Sequence, residues 1–120
     1  FLNCKMIGIN FSECNNFLLT TSFNNCQLNL ASFFKLKLIK TLFTNCNLQE
    51  VDFVDANLSQ STFNNCDFSR AIFENTNLEK ANFKTSFNYS INPEINTIKK
   101  AKFSKENLAG LLGKYQLIIE

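Results

Sequence analysis

Residues 43–63 read FTNCNLQEVDFVDANLSQSTF, and every fifth position of this stretch is Phe or Leu. The same spacing extends in both directions without exception, through Leu18, Phe23, Leu28, Phe33, Leu38, Phe43, Leu48, Phe53, Leu58, Phe63, Phe68, Phe73, Leu78 and Phe83. The residue two positions before each of these is mostly small, as at Cys26, Ala31 and Ala56. Helix faces repeat every 3.6 residues and strand faces every 2, so a period of five fits neither element. The pattern predicts a chain that turns a corner after each five-residue side.

A longer period of twenty lies on top of the period of five. Phenylalanines and cysteines recur at this interval, in the series Phe23, Phe43, Phe63, Phe83, Phe103 and the series Cys26, Cys46, Cys66. Four sides of five residues make one coil of twenty, so each side chain in a series meets its equivalent in the next coil. We therefore expect stacks of like side chains along a narrow core.

The five-residue motif resembles that of the pentapeptide-repeat family. The segments Ala56-Asn57-Leu58-Ser59-Gln60 and Ala81-Asn82-Phe83-Lys84-Thr85 match its pattern closely, and the resemblance is strong over residues 16–85. It implies an all-β fold, a right-handed quadrilateral β-helix, with a short C-terminal capping helix and a terminal strand expected from the residues that follow.

The β-helix is predicted to span residues 1–103, with two irregularities. Phe1, Met6 and Phe11 keep the spacing of five, but Phe11 and Leu18 are seven apart, which predicts a two-residue bulge near residues 12–17 that contains Cys14. The bulge is either a protruding recognition loop or a tolerated insertion, and its small size favours the insertion. The last coil, residues 86–103, is expected to be irregular because Asn88 and Pro93 occupy core positions.

Residues 104–120 are predicted to form a cap and dimerisation module. Ser104 is a suitable N-cap for a helix from Lys105 to about Leu112, with Gly113 as its stop. Three leucines would cover the open end of the core, and the apolar segment after them is predicted to be a strand with an unpaired edge. The residues assigned to dimerisation are Leu108, Leu111, Leu112, Tyr115, Leu117, Ile118 and Ile119.

This tail, with Asn92-Pro93 and Ala101-Lys102-Phe103 before it, resembles the C-terminal module of plasmid quinolone-resistance pentapeptide proteins. The resemblance implies a homodimer joined end to end. It also implies a bacterial protein with DNA gyrase or topoisomerase IV as the target, bound by a rod that mimics DNA.

Composition excludes most catalytic chemistry. The chain has no His, and its five Cys include no C-x-x-C pair, so neither an imidazole base nor a zinc site nor a complete disulfide framework is expected. We expect no enzyme activity, no cofactor, no metal site and a reducing, cytoplasmic location. A net charge of +2 predicts no direct nucleic-acid binding, and the lack of a long apolar run predicts no membrane span. Because the chain begins at Phe1, we expect it to be a fragment or processed form.

Charges at equivalent positions give a test of the register. Lys35 and Asp55, and Glu50 and Arg70, are twenty residues apart and are predicted to form ion pairs between coils. The run Lys99-Lys100-Lys102 could contact phosphate, but a solvated last coil explains it more simply.

Two functions remain open. The first is a rigid scaffold that binds an unidentified protein partner, because apolar residues that the repeat directs outward form a candidate patch: Phe17, Leu19, Phe34, Ile39, Leu42 and Val54. The second is the topoisomerase binder implied by the resemblance. Acidic residues gather at Glu50, Asp52, Asp55, Asp67 and Glu74, but the basic cluster of Lys35, Lys37 and Lys40 weakens the likeness to DNA.

Overall fold

The computed structural model describes residues 1–13 and 22–118. Its backbone turns sharply once every five residues. At each corner from Leu30 to Lys80 one residue adopts the left-handed conformation, with φ between 51° and 65°. None of these corner residues is β-branched, which suits a conformation that is most costly for branched side chains. The result is a rod of 41 × 24 × 22 Å, the quadrilateral β-helix that the sequence predicts.

The rod has four sides, each a ladder of parallel pairings between successive coils. The first side carries strands β1 (Ser22–Asn24), β2 (Leu42–Thr44) and β3 (Thr62–Asn64), paired in the order β1-β2-β3 with Phe23, Phe43 and Phe63 in register. Isolated bridges form the other ladders. The second side runs through Gln27, Asn47 and Asp67, the third through Ser32, Asp52 and Ile72, and the fourth through Lys37, Asn57, Asn77 and Thr97. The first and third sides face in opposite directions.

The Asn or Asp that precedes many of the large core residues closes the corner turn. Its side-chain oxygen accepts a hydrogen bond from the backbone N–H two residues later, at 2.8–3.0 Å for Asn47, Asp52, Asn57, Asp67, Asn77 and Asn82. These are Asx turns, which explains why short polar side chains recur at this point of the repeat.

Aromatic stacks fill the core. The rings of Phe23, Phe43, Phe63 and Phe83 lie 5.0, 5.0 and 4.8 Å apart between centroids, within 18° of parallel. Phe1 and Phe103 extend this pile at its two ends. A second pile runs along the third side, through Phe11, Phe33, Phe53 and Phe73. The predicted stacking of like residues is therefore confirmed.

The buried hydroxyls of Ser61, Thr76 and Ser86 donate hydrogen bonds to backbone carbonyls of the preceding coil. Buried Ser61 donates its hydroxyl hydrogen bond to the Leu38 carbonyl and accepts one from the Thr41 N–H. Burial raises the pKa of the Asp67 carboxyl, but hydrogen bonds from Ser69, Asn88 and Gln49 lower it by more, so that its pKa lies below the usual value.

The first coil is offset from the second by 22 residues, whereas later coils are offset by 20. Leu2 pairs with Asn24, Lys5 with Gln27 and Asn10 with Ser32. The two extra residues therefore lie between Asn10 and Ser22. A 3-10 helix, Phe11–Glu13, begins this interval, and the rest of the predicted bulge, with Cys14, lies outside the described residues.

The last coil departs from the repeat where the sequence predicts. Asn88 is exposed, with φ of 62°, and Tyr89 takes its place in the core against the rings of Phe83 and Phe103. An asparagine amide cannot join an apolar pile without losing its hydrogen bonds, so the chain shifts by one residue and buries an aromatic ring instead.

The C-terminal segment corrects several expectations. The capping element is a 3-10 helix, Lys105–Leu111, followed by a second, Gly113–Tyr115, so Gly113 starts a turn rather than ending a helix. Ser104 is the N-cap but makes no side-chain capping bond. Leu111 packs on the core, whereas Leu108 remains 42% exposed. The predicted terminal strand is wrong at its start, because Tyr115 ends the second 3-10 helix and Gln116 is left-handed; Ile119 lies outside the described residues.

One of the two predicted ion pairs is confirmed. Arg70 Nε lies 3.0 Å from Glu50 Oε1, one coil apart. The pair between Lys35 and Asp55 is wrong. The Lys35 ammonium lies over the ring of Phe34, 5.1 Å from its centroid, and Asp55 accepts a hydrogen bond from Asn75.

Candidate interaction surface

The predicted apolar patch is distributed over three sides of the rod. Phe34 and Val54 lie on the third side, Ile39 on the fourth and Leu42 on the first. Phe34, Ile39 and Leu42 are exposed and Val54 is half-buried; Phe17 and Leu19 lie outside the described residues. The first and third sides face apart, so Phe34 and Leu42 lie on opposite faces of the rod, with Ile39 on the fourth side between them.

The third side carries a longer apolar stripe than the sequence suggests. Phe34 lies beneath Val54, since the next residue, Lys35, donates its N–H to the Val54 carbonyl at 3.0 Å. Two further isoleucines, Ile72 (45% exposed) and Ile95 (48% exposed), continue along the same side. We call Phe34, Val54, Ile72 and Ile95 the third-side stripe.

The repeat pattern in the sequence does not predict that Ile72 and Ile95 are exposed on this side, for two separate reasons. Ile72 occupies the position before the large core residue, where the repeat usually has Asn or Asp, so no outward apolar residue is expected there. Ile95 lies in the irregular coil. The Asn75 N–H donates to the Ile95 carbonyl at 2.8 Å, a step of twenty residues where regular corners use nineteen, so this coil is one residue out of phase with the repeat.

An open cavity of about 360 Å³ lies at the C-terminal end of the stripe. Ile72, Glu74, Ile91, Ile95 and Lys114 contribute to its lining. Lys114 reaches it because its ammonium pairs with the Glu94 carboxylate at 2.5 Å, and the Tyr115 hydroxyl donates to the same carboxylate at 3.2 Å. The hydrogen bond from Lys114 holds the pKa of Glu94 below its usual value.

Acidic side chains lie among and beside the residues of the stripe. Asp52, Asp55, Glu74 and Glu94 all belong to the third side or its corner. Asp52 accepts a hydrogen bond from the Val54 N–H, and Asp55 accepts one from the Asn75 amide. Asp52 pairs with Ile72 in one outward row of this side, and Glu74 follows Val54 in the other, so acidic and apolar side chains are interspersed on this surface.

This geometry agrees with the sequence family. A family model described as a pentapeptide repeat region matches residues 17–90. The chain belongs to the pentapeptide-repeat family. A search of curated protein sequences finds no match.

Solved pentapeptide-repeat structures show the same fold at low identity. HetL from the cyanobacterium Nostoc sp. strain PCC 7120, a protein involved in heterocyst differentiation regulation, is 18% identical with a TM-score of 0.58; the match covers 85% of this chain and 46% of HetL. This chain therefore spans just under half the length of HetL. Rfr23 from Cyanothece 51142 is 19% identical over 88% of both chains, with a TM-score of 0.41. A trypsin-treated form of QnrB1, a plasmid-mediated fluoroquinolone resistance protein, is 14% identical over all of this chain and 79% of its own, with a TM-score of 0.49.

Three cysteines of this pentapeptide-repeat chain, Cys26, Cys46 and Cys66, form a column that packs in the core. Cys26, Cys46 and Cys66 are buried, and each thiol donates to carbonyls two residues earlier and one coil back, at 3.4–3.5 Å. Burial raises the pKa of Cys26, which keeps that thiol protonated. Among residues 1–13 and 22–118, no group of three or more His, Cys, Asp or Glu side chains could hold a metal ion.

The C-terminal tip exposes the residues assigned to dimerisation. Leu108, Tyr115, Leu117 and Ile118 are exposed, Ile118 by 88%, while Leu111 and Leu112 are half-buried. In the part of the chain that the structure describes, no helix is long and apolar enough to cross a membrane.

Proposed function

We propose that this chain is a non-catalytic scaffold that binds a protein partner through the third-side stripe. The observation that supports this most is that Phe34, Val54, Ile72 and Ile95 all lie at outward positions on one rigid side. Single exposed apolar residues are normal on any protein surface, but a connected row of them marks an interaction site. Solenoids hold such a row at fixed spacing because each coil is locked to its neighbours.

The margins of the stripe indicate the chemistry of the partner. Asp52, Asp55 and Glu74 are interspersed with the apolar residues of the stripe, so the complementary surface carries apolar residues with basic residues among them. The free thiols suit a reducing compartment, and we include a cytoplasmic location in the proposal.

A paired variant tests the scaffold. Phe34→Ser with Ile72→Ser removes two members of the stripe without touching the core, and Leu42→Ser on the opposite side is the matched control. The proposal expects the wild type and the Leu42 variant to capture the same protein from a cell lysate, and the double variant to lose it while keeping its melting temperature. Capture that survives in the double variant would contradict the proposal.

We also propose that two copies associate through the C-terminal tip. Exposed Leu108, Leu117 and Ile118 support this, because a two-fold contact would bury the same apolar patch on both copies. Light scattering should give a dimer mass for the wild type and a monomer mass for Leu117→Ser with Ile118→Ser. A monomeric wild type at high micromolar concentration would contradict this part of the proposal.

Topoisomerase binding by DNA mimicry ranks second. A rod 24 × 22 Å across is close to a duplex in width. Charge opposes the idea, however, since a duplex carries one negative charge per about 1.7 Å, or about 24 along the 41 Å of this rod. The chain has 10 acidic residues in all and a net charge of +2. A gyrase supercoiling assay, with and without a fluoroquinolone, tests this alternative, and an unchanged reaction at micromolar protein would remove it.

A further inference from the structure

The fold separates charges that look evenly mixed in the sequence. The fourth and first sides carry most of the basic residues: Lys37, Lys40, Lys80, Lys84, Lys99, Lys100 and Lys102. Glu79 is the one carboxylate on these two sides among residues 22–104. The second and third sides carry the acidic residues instead. A small net charge therefore conceals a rod that is basic along one edge.

The basic residues are densest at the C-terminal end of this edge. Lys80, Lys84, Lys99, Lys100 and Lys102 come from only two successive coils, and we call these five the lysine corner. The Lys80 N–H donates to the Lys99 carbonyl at 2.9 Å, and the Phe83 N–H to the Lys102 carbonyl at 2.8 Å. The backbone therefore fixes the five attachment points relative to one another.

Two of these lysines stack directly. Lys80 and Lys100 occupy the same corner of consecutive coils, both with φ of 59°. Adjacent coils are separated by the spacing of paired strands, about 4.8 Å. Like charges placed opposite each other across paired strands destabilise a fold, so this arrangement has a cost that a bound polyanion would relieve.

Among the described residues, no lysine of the lysine corner forms an ion pair. The ion pairs formed by the described residues are Arg70 with Glu50 and Lys114 with Glu94. Of the carboxylates nearest in sequence, neither Glu79 nor Glu106 comes within 4.0 Å of a lysine ammonium. All five lysine side chains are exposed, so their ammonium groups are available to a ligand.

We propose that the lysine corner binds the phosphate backbone of a double-stranded nucleic acid. Ammonium groups in a row along a rigid edge neutralise successive phosphates without reading sequence. Over residues 77–102 the outward neighbours on these two sides are polar, such as Asn77, Asn82 and Thr97. They include no aromatic ring to stack on unpaired bases and no apolar residue to enter a membrane, which favours a duplex over a single strand or a lipid surface.

This proposal departs from the expectation that a net charge of +2 gives no nucleic-acid contact. Net charge is summed over the whole protein surface, whereas a bound duplex contacts only one edge of the rod. The charge of that edge therefore decides whether a duplex binds. The lysine corner lies on the fourth and first sides and the third-side stripe faces away from the first, so the chain could hold a duplex and a protein partner together.

Fluorescence anisotropy with a short labelled duplex tests the proposal on the intact chain. We expect a dissociation constant of about 1–100 µM at physiological salt, the usual range for binding through phosphates alone, and tighter binding at lower salt. If four phosphates are neutralised, affinity should fall about 100-fold between about 50 and 200 mM salt. DNA and RNA duplexes of one sequence should both bind, because the recognised group is common to both.

A matched pair of variants locates the site. Lys80→Gln with Lys100→Gln should flatten the logarithmic salt dependence by about 2, one for each contact removed. Lys5→Gln with Lys35→Gln makes the same change of charge on the second and third sides and should leave binding as in the wild type. Because the four lysines are exposed, circular dichroism should show both variants folded.

Three results would overturn the proposal. One is the absence of an anisotropy change at about 50 mM salt with protein in the 100 µM range. Another is an equal loss of affinity in the two double variants. The third is a preference for a single strand, or for vesicles that contain phosphatidylserine, over the duplex.

Discussion

Truncation of one ring in the aromatic pile is the most informative perturbation of the fold. Phe63 is fully buried, stacks on Phe43 and Phe83 at 5.0 and 4.8 Å, and meets Phe68 edge-on at 5.2 Å. Burying a Phe side chain contributes about 1.5–3 kcal/mol, and the cavity left by its removal adds to the loss. Phe63→Ala should therefore lower the free energy of unfolding by about 3–5 kcal/mol.

Equilibrium unfolding in urea measures this loss. Natural domains have a free energy of unfolding of only about 5–15 kcal/mol, so a loss of about 3–5 kcal/mol should lower the urea concentration at the unfolding midpoint by a large fraction. Asn64→Ala, at the exposed position next to Phe63, should change stability by less than about 0.5 kcal/mol and serves as the control. A loss below about 1 kcal/mol for Phe63→Ala would refute the reasoning, because a ring buried on all sides cannot be removed at so small a cost.

Three further outcomes are expected. Ser61→Ala should cost about 0.5–1.5 kcal/mol in a urea melt, since the Thr41 N–H and the Leu38 carbonyl lose their hydroxyl partner and keep only their mutual 3.4 Å hydrogen bond; a neutral result would contradict this. Asp67 has a folded-state pKa below its unfolded value of about 3.9, so its contribution is present above that pH and is lost as pH falls through the folded pKa. The stability gap between the wild type and Asp67→Asn should accordingly stay constant above about pH 5 and close as pH falls below about 4, and a gap that widens there would contradict the assignment. Gly110→Ala would place a Cβ 2.3 Å from the Tyr89 carbonyl oxygen, so the C-terminal 3-10 helix should leave the last coil and trypsin should cut there faster, with little change in the melting temperature of the coils.

The sequence specifies the repeating part of the fold almost completely. A large residue every fifth position leaves one way to bury all of them, and the series Phe23, Phe43 and Phe63 then sets the register of twenty. The irregular coil was also predictable in kind, because Asn88 cannot join an apolar pile. How the coil fills the position that Asn88 leaves was not predictable: Tyr89, one residue later, occupies the core instead.

Features that depend on side-chain placement were harder to predict. Lys35 and Asp55 are correctly spaced for an ion pair. However, the Lys35 ammonium lies over the ring of Phe34, and the Asp55 carboxylate accepts a hydrogen bond from the Asn75 amide. Both alternatives are local and lose little entropy, and exposed ion pairs are too weak to compete. The C-terminal capping helix forms over Lys105–Leu111 as expected, but as a 3-10 helix, and a second 3-10 helix replaces the start of the predicted strand. Short segments at a chain end follow their contacts with the last coil rather than their own propensities.

The candidate interaction surfaces are less predictable from the sequence than the repeat fold, but more predictable than individual side-chain contacts. The repeat phase directs Phe34 and Ile39 outward, but the stripe that joins Phe34 to Ile72 becomes visible only when side chains are sorted onto sides. The lysine corner depends on the same sorting. In both cases the sequence supplies the residues, and the period of twenty decides which of them are neighbours.

Nuclear Overhauser contacts between phenylalanine rings test the central claim most directly. In a sample labelled at its Phe rings, the account predicts cross-peaks between Phe23 and Phe43, between Phe43 and Phe63, and between Phe63 and Phe83, whose centroids lie about 5 Å apart. A spectrum in which Phe43 and Phe63 show no mutual contact would contradict a four-sided coil of twenty residues, and with it every surface described above.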